Sequence, residues 1–259
     1  MAHEDFRRAL TRAYIQNPCQ VLPNPLWQTL ARLDECETAF ASDAQGVNRL
    51  EAWTNDSLII YWRREDRQPS MLINRKLAFQ NAAIMHQDFL DSPTVAGFKQ
   101  WESRYRLLHR DAPVPAVEPP EGFRLAPVVN SRDEAQAVTA HIEQQGALAQ
   151  VQDWLQSPAF APDLWWWLID ETSDQPAGIA IADLDPQLRE TSLLWLQIFP
   201  AYQGRGLGRY LTQDILRRIG GRALFTTVSG TVENRDNPGA FFQRCGFTGS
   251  DVWWFLSRE

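Results

Sequence analysis

The clearest chemical signal in the sequence is a glycine-rich stretch, Gln203-Gly-Arg-Gly-Leu-Gly-Arg209, which follows a run of apolar residues. After it, Leu207, Leu211, Ile215 and Ile219 recur at helical spacing. Backbone N–H groups at a helix start are unpaired and carry partial positive charge, and glycine lacks the Cβ atom that would hold a phosphate away. The pattern predicts a strand, a turn and a helix that together bind a pyrophosphate, with arginines adding charge at the rim.

Two common phosphate-binding motifs do not match this spacing. A P-loop needs a lysine followed by serine or threonine after its last glycine, and no lysine follows here. The dinucleotide fingerprint needs the spacing GxGxxG, whereas the glycines here stand at positions 204, 206 and 208. A tight turn without a ligand is the alternative that the glycine spacing alone leaves open.

A second segment, Asn237-Pro-Gly-Ala-Phe-Phe-Gln-Arg-Cys-Gly-Phe247, has an asparagine, a short predicted helix, aromatic residues and a closing Gly-Phe pair. It resembles the segment after the fifth strand of the GNAT superfamily of N-acetyltransferases. The glycine turn resembles motif A of the same family, Gln/Arg-x-x-Gly-x-Gly/Ala. The resemblance covers about residues 121–259, and details such as Thr227-Val-Ser-Gly230 look like a bacterial subgroup of undefined substrate.

The resemblance implies acetyl-CoA as co-substrate and direct transfer of the acetyl group to an amine. No metal is expected, because the four histidines are scattered without the spacing of metal ligands. Pantetheine would lie where the strand carrying Ile198 and the next strand splay apart, with a backbone N–H near Ile198 or Phe199 stabilising the oxyanion. The residues assigned in this way to acetyl-CoA are Ile198, Phe199, Gln203, Gly204, Arg205, Gly206, Leu207, Gly208, Arg209, Asn237 and Phe242.

The catalytic residues depart from the family pattern. The family often protonates the leaving thiolate with a tyrosine on the last short helix, and here that position holds Phe242, whose phenyl ring has no proton to donate. Glu190 is the nearest carboxylate to the position of the family's acidic base, and Glu233, in the loop after the fifth strand, is a second candidate. The usual exposure of glutamate favours a surface turn for Glu190.

Two functions follow from these observations. The first is an acetyl-CoA-dependent N-acetyltransferase, an acyltransferase that acts on an amine of a small molecule or on an amino terminus. The alternative is a non-catalytic acyl-CoA-binding module with a degenerate active site, which the missing tyrosine favours. The use of another acyl-CoA is also left open.

The elements that position these residues can be predicted over the second half of the chain. Strands are expected at 123–128, 164–170, 177–184, 191–199, 223–229 and 252–256, and helices after a capping box at 131–134, at 204–219 and at 237–245. Three adjacent strands with a hairpin favour a mixed sheet over a doubly wound parallel one. The predicted class is α/β with a mixed α+β sheet, a GNAT acyltransferase fold with an additional N-terminal α+β unit.

Residues 112–120 contain four prolines and are predicted to be a linker between an N-terminal unit, 1–111, and the GNAT domain, 121–259. In the first unit we expect a helix around residues 6–14, strands at 57–62 and 70–77, and helices near 79–90 and 95–109. This unit has three open interpretations. It completes the acceptor cleft, forms the interface of a homodimer, or is a decayed copy of the same fold.

The composition indicates the cellular compartment and the kinds of binding partner that suit the protein. Among 259 residues, 44% are hydrophobic and 22% charged, which is typical of a globular protein. The charged N-terminus, the absence of a long apolar run and an odd number of cysteines, three, favour a cytoplasmic protein over a secreted or membrane one. From residue 116 onward, 11 basic residues stand against 18 acidic ones, which disfavours nucleic acid and suits either a cationic substrate or simple solubility.

Overall fold

The computed structural model describes residues 2–65, 77–90, 97–110, 114, 116–128, 148–233 and 238–258. Contacts divide the chain into two compact units, one formed by Met1–Leu108 with Ser229–Glu259 and the other by His109–Val228. The C-terminal segment thus groups with the first hundred residues, whereas the domain boundaries predicted from the Pro-rich segment stay a prediction. No helix in the described part of the chain is long and apolar enough to cross a membrane.

Helices and strands are numbered separately, each in chain order. They are α1 (Ala2–Gln16), α2 (Pro18–Val21), α3 (Leu26–Leu30), β1 (Glu37–Asp43), β2 (Gly46–Trp53), β3 (Ser57–Arg63), β4 (Ala82–His86), β5 (Gln100–Arg110), β6 (Phe123–Pro127), α4 (Leu148–Gln156), β7 (Trp165–Asp170), β8 (Gln175–Ala182), β9 (Glu190–Ile198), α5 (Leu207–Ile219), β10 (Phe225–Thr231), α6 (Pro238–Arg244) and β11 (Thr248–Ser257).

The first unit contains a sheet in the order β1-β2-β3-β4-β11-β5. Strands β1 to β3 are antiparallel, β3 and β4 are parallel, and β11 runs antiparallel to both of its neighbours. Helix α1 buries Phe6, Leu10 and Tyr14, which confirms the predicted N-terminal helix. The central apolar cluster joins β2, β3, β4 and β11 through side chains such as those of Tyr61 and Leu256.

Two predictions for the first unit are wrong. Residues 82–86 and 100–110 form strands β4 and β5, where helices near 79–90 and 95–109 were expected. Strand β5 buries the polar residues Ser103 and Arg106 and exposes the apolar Trp101. Its sequence therefore does not show the alternation of apolar and polar residues by which a strand is recognised. Residues 70–76 of the expected strand 70–77, the capping box at 131–134 and residues 112, 113 and 115 of the Pro-rich segment lie outside the described residues.

The second unit has the strand order β10-β9-β8-β7-β6. Strands β6 to β9 are antiparallel, and β10 pairs in parallel with β9. Helix α4 packs Val151, Trp154 and Leu155 against β7 and β8, while α5 buries its predicted apolar stripe. The strands and the helix that were expected over 164–229 are therefore confirmed, with ends that differ by a few residues.

The two units share one strand arrangement. In each, three consecutive antiparallel strands are followed by a parallel partner for the third strand, β1 to β4 in the first unit and β7 to β10 in the second. The connections before the parallel strand differ. In the second unit the connection contains the glycine turn and α5, whereas the sequence from 64 to 81 contains no glycine.

Candidate functional site

The glycine turn lies between β9 and α5 and is open to solvent. Gly204 and Gly206 both have φ near +77°, a conformation that favours glycine, and no atom lies within 4 Å of the place where a Cβ would stand on either residue. Gly206 is the N-cap of α5. Residues 203–206 are exposed, while Leu207 is buried beneath them and anchors the start of the helix.

The backbone of this turn presents free donors. None of the N–H groups of residues 204–209 donates to another described residue, and the first helical bond runs from the Tyr210 N–H to the Gly206 carbonyl at 3.2 Å. The Arg205 side chain donates to the Ala201 carbonyl at 3.2 Å and lies over the Tyr202 ring. Such a row of N–H groups at a helix start, beside two arginines, can bind a phosphate.

The end of β9 presents a second set of free backbone groups. The Phe199 N–H donates to the Ala177 carbonyl at 2.9 Å, and Ile198 lies opposite Gly178 in the antiparallel ladder. Because peptide groups alternate in direction along such a ladder, the Ile198 N–H and carbonyl point away from β8. On that side the pairing of β9 with β10 ends at Leu193, so the donor available for an oxyanion belongs to Ile198 and not to Phe199.

The turn and the strand end are tied together by one side chain. Gln203 donates from Nε2 to the Ile198 carbonyl at 3.1 Å. This hydrogen bond leaves the Ile198 N–H as the unused polar group at the tip of β9. The residues present therefore fit the pyrophosphate of acetyl-CoA at the turn and its thioester at the end of β9.

An aromatic face lies on the same part of β9. Trp167, Ile179 and Gln197 stand in one row across β7, β8 and β9. The Trp195 indole N–H donates to Gln197 Oε1 at 3.1 Å, and the Trp167 and Phe199 rings lie 6.5 Å apart. We call Trp167, Trp195, Gln197 and Phe199 the aromatic wall. All four side chains are half-buried, while Trp165 is part of the core.

Comparison with known proteins shows which family this site resembles. Residues 162–249 match the model of the acetyltransferase (GNAT) domain, which spans the glycine turn, the end of β9 and helix α6. This part of the chain is similar to a GNAT acetyltransferase domain. No curated protein sequence matches the chain.

Solved structures share this fold over nearly the whole chain. A GCN5-related N-acetyltransferase from Sphaerobacter thermophilus is 16% identical, with a TM-score of 0.62 over 90% of this chain and 84% of that one. A GNAT-family acetyltransferase from Colwellia psychrerythraea is 9% identical, with a TM-score of 0.62 over 98% and 97%. A tandem GNAT protein from the clavulanic acid biosynthesis pathway is 12% identical, with a TM-score of 0.51 over 92% and 89%.

Of the two carboxylates proposed as bases, Glu190 lies far from the tip of β9 and Glu233 belongs to the other unit. Glu190 is only 1% exposed, so its interpretation as a surface turn residue is wrong. It begins β9 and exchanges backbone hydrogen bonds with Asp185, whereas Ile198 ends the strand, about 26 Å further along at about 3.3 Å per residue. Glu233 is exposed in the turn after β10 and belongs to the first unit.

Phe242, at the family's tyrosine position, is a core side chain of the first unit. It is 7% exposed, and its ring centre lies 5.1 Å from that of Phe241 and 5.6 Å from that of Phe247.

Asn237 lies outside the described residues, so its assignment to acetyl-CoA stays a prediction. Gln197 is not among the site residues predicted from the sequence. The signal that could have identified it is its amide side chain within the otherwise apolar run 193–199.

Proposed function

We propose that this protein is an acetyl-CoA-dependent N-acetyltransferase that transfers the acetyl group directly to an amine. One observation carries the proposal. The free N–H groups of the open turn at residues 204–209 lie next in sequence to a strand end whose Ile198 N–H has no partner strand. The match of residues 162–249 to the GNAT domain supports acyl transfer as the reaction class.

The chain's own residues account for binding and for charge stabilisation. The turn holds the pyrophosphate through backbone donors and the dipole of α5. The Ile198 N–H donates to the carbonyl oxygen as negative charge develops on it, a contact that contributes about 100- to 1,000-fold to the rate in comparable sites. We propose that the proton of the attacking amine leaves to water.

The aromatic wall suggests the class of acceptor. Tryptophan faces attract an ammonium group and bury apolar groups, while the Gln197 amide nitrogen, which donates to no other described residue, can bind a carbonyl oxygen. We propose an amine with a large apolar group and a neighbouring carbonyl, such as an amino acid amide or a peptide amino terminus.

A non-catalytic acyl-CoA-binding module is the second candidate function. The burial of Phe242 favours it, because the helix position that usually supplies a tyrosine hydroxyl is here filled by a core phenyl ring. Release of free CoA thiol from acetyl-CoA in the presence of a broad amine panel separates the two candidates. An enzyme releases thiol with at least one amine, and a binding module with none.

The turn itself is tested by calorimetry with acetyl-CoA on Gly206→Val. We expect at least a tenfold loss of affinity, because the valine side chain would occupy the open space above the turn. Gly122→Val is the matched control, since Gly122 has φ +81° and equally open surroundings but lies before β6. Equal affinity in folded Gly206→Val and in the control would contradict the assignment.

A further inference from the structure

Tyr202, which ends the short 3-10 turn before the glycine turn, connects that turn to three other parts of the second unit. Its half-buried ring meets the Phe123 ring of β6 edge to face, with the ring centres 6.1 Å apart. Its hydroxyl lies 3.5 Å from Ser173 Oγ in the turn between β7 and β8, and it hydrogen-bonds to Asp170 at the end of β7. Tyr202 therefore ties the start of the glycine turn to β6 and to the hairpin of β7 and β8.

The Asp170 side chain is a stable acceptor for this hydroxyl. The Thr172 N–H donates to Asp170 Oδ1 at 2.8 Å, and this bond, followed by those from the hydroxyls of Tyr202 and Ser173, holds the pKa of Asp170 below its ordinary value. The side chain is therefore a carboxylate at neutral pH. Because a carboxylate can only accept, the Tyr202 hydroxyl is the donor, and its orientation is fixed.

The Tyr202 ring also restrains the arginine within the glycine turn. The Arg205 guanidinium carbon lies 5.5 Å from the centre of this ring, and Nη2 donates to the Ala201 carbonyl at 3.2 Å. The long side chain is thus folded back beside the free N–H groups of the turn. Arg209, in the first turn of α5, is exposed and forms no hydrogen bond or ion pair with another described residue, so it has no such restraint.

We infer that Tyr202 is a positioning residue for phosphate binding, a role that rests on the proposed function. Its ring holds the Arg205 guanidinium beside the glycine turn, and its hydroxyl anchors the ring to Asp170. An arginine that is already restrained loses less side-chain freedom when it binds an anion. The ring attracts the guanidinium through its π face and uses none of its N–H donors, so those not bonded to Ala201 stay available to a phosphate oxygen.

Calorimetry with acetyl-CoA tests the coupling between the two side chains. Arg205→Gln should weaken binding about tenfold, because it removes the charge. Tyr202→Leu should weaken binding about fivefold to tenfold although Arg205 is still present. The double variant should lose little more than either single variant, because Arg205 contributes only when the ring holds it. Tyr202→Phe keeps the ring and lacks the hydroxyl, so it should lose only about twofold to threefold.

A second arginine–aromatic pair on the same helix provides the matched control. The Arg218 guanidinium carbon lies 3.6 Å from the centre of the Trp166 ring, in the last turn of α5 and so at its opposite end. Trp166→Leu should bind acetyl-CoA with wild-type affinity. With an amine substrate, Tyr202→Leu should raise KM for acetyl-CoA and leave kcat nearly unchanged, since the phosphate is bound alike before and during the reaction. Thermal unfolding confirms that each variant is folded.

The outcomes separate the two proposals. If the wild-type protein does not bind acetyl-CoA, the proposed function fails and the role of Tyr202 fails with it. If the wild-type protein binds and folded Tyr202→Leu binds equally well, the role of Tyr202 is overturned and the proposed function is untouched. Additive losses in the double variant, or an equal loss in Trp166→Leu, would overturn it in the same way.

Discussion

Phe242 illustrates how far a single side chain can limit a catalytic assignment. Its ring meets Phe241 and Phe247 edge to face, and the Phe247 N–H donates to the Phe242 carbonyl at 3.1 Å. Both contacts hold the ring inside the packing of α6 and the start of β11. A hydroxyl added to this ring would meet apolar neighbours before it met a substrate.

We expect Phe242→Tyr to lower the free energy of unfolding by about 1–3 kcal/mol, because its hydroxyl would be buried without a partner, and to give no gain in acetyl transfer. Denaturant unfolding and turnover are measured on the same preparation. Phe241→Tyr is the control, since Phe241 is half-exposed and should lose less stability. A rise in turnover in Phe242→Tyr would contradict the assignment of this ring to a purely structural role.

At the scale of elements, Gly178 determines how closely β8 and β9 approach at the active end of the sheet. A Cβ atom on Gly178 would lie 2.7 Å from the Gln197 carbonyl oxygen and 2.7 Å from the Ile198 side chain. The backbone of β9 therefore reaches its position, with the Ile198 N–H directed away from β8, because residue 178 has no side chain.

Gly178→Ala should move the tip of β9 and cost about 1–3 kcal/mol in stability, with weaker binding of acetyl-CoA. Thermal unfolding and calorimetry measure the two effects. Gly221→Ala is the control, because a Cβ atom there would meet nothing within 4 Å and the residue lies beyond the other end of α5. Equal stability and equal affinity for acetyl-CoA in the two variants would show that β9 tolerates the displacement.

The elements of the second unit could be predicted because their signals are local. Strands β7 to β9 are apolar runs bounded by turns, and the glycines mark the start and end of α5. The burial of Glu190 could not be predicted, because it depends on the strand pairing that places Glu190 beside Asp185 and Phe225. Strand β5 was missed because tertiary contacts, including the bond from Arg106 to the Tyr14 hydroxyl, stabilise polar groups on its inner face.

At the scale of the whole molecule, the chain holds the same strand arrangement twice but the glycine turn once. The sequence between β3 and β4 has no glycine that could adopt the left-handed conformation of Gly204 and Gly206. The glycine pattern on which the pyrophosphate assignment rests therefore has no counterpart in the sequence of that connection.

We expect calorimetric titration with acetyl-CoA to give a stoichiometry close to one per chain, because among the described glycines with positive φ only Gly204 and Gly206 stand together at the start of a helix. Gly206→Val should then lower the affinity of this single site at least tenfold. A stoichiometry of two, or residual full-affinity binding in Gly206→Val, would assign a second site to the first unit.

The position of β11 between β4 and β5 has a consequence for folding during synthesis on the ribosome. Strands β4 and β5 are synthesised early, yet the strand that separates them comes only after all of residues 109–228. Until β11 emerges, the nascent chain exposes the unpaired edges of β4 and β5, which are sites for mispairing. The sheet of the first unit can therefore be completed only after residues 248–257 have left the ribosome.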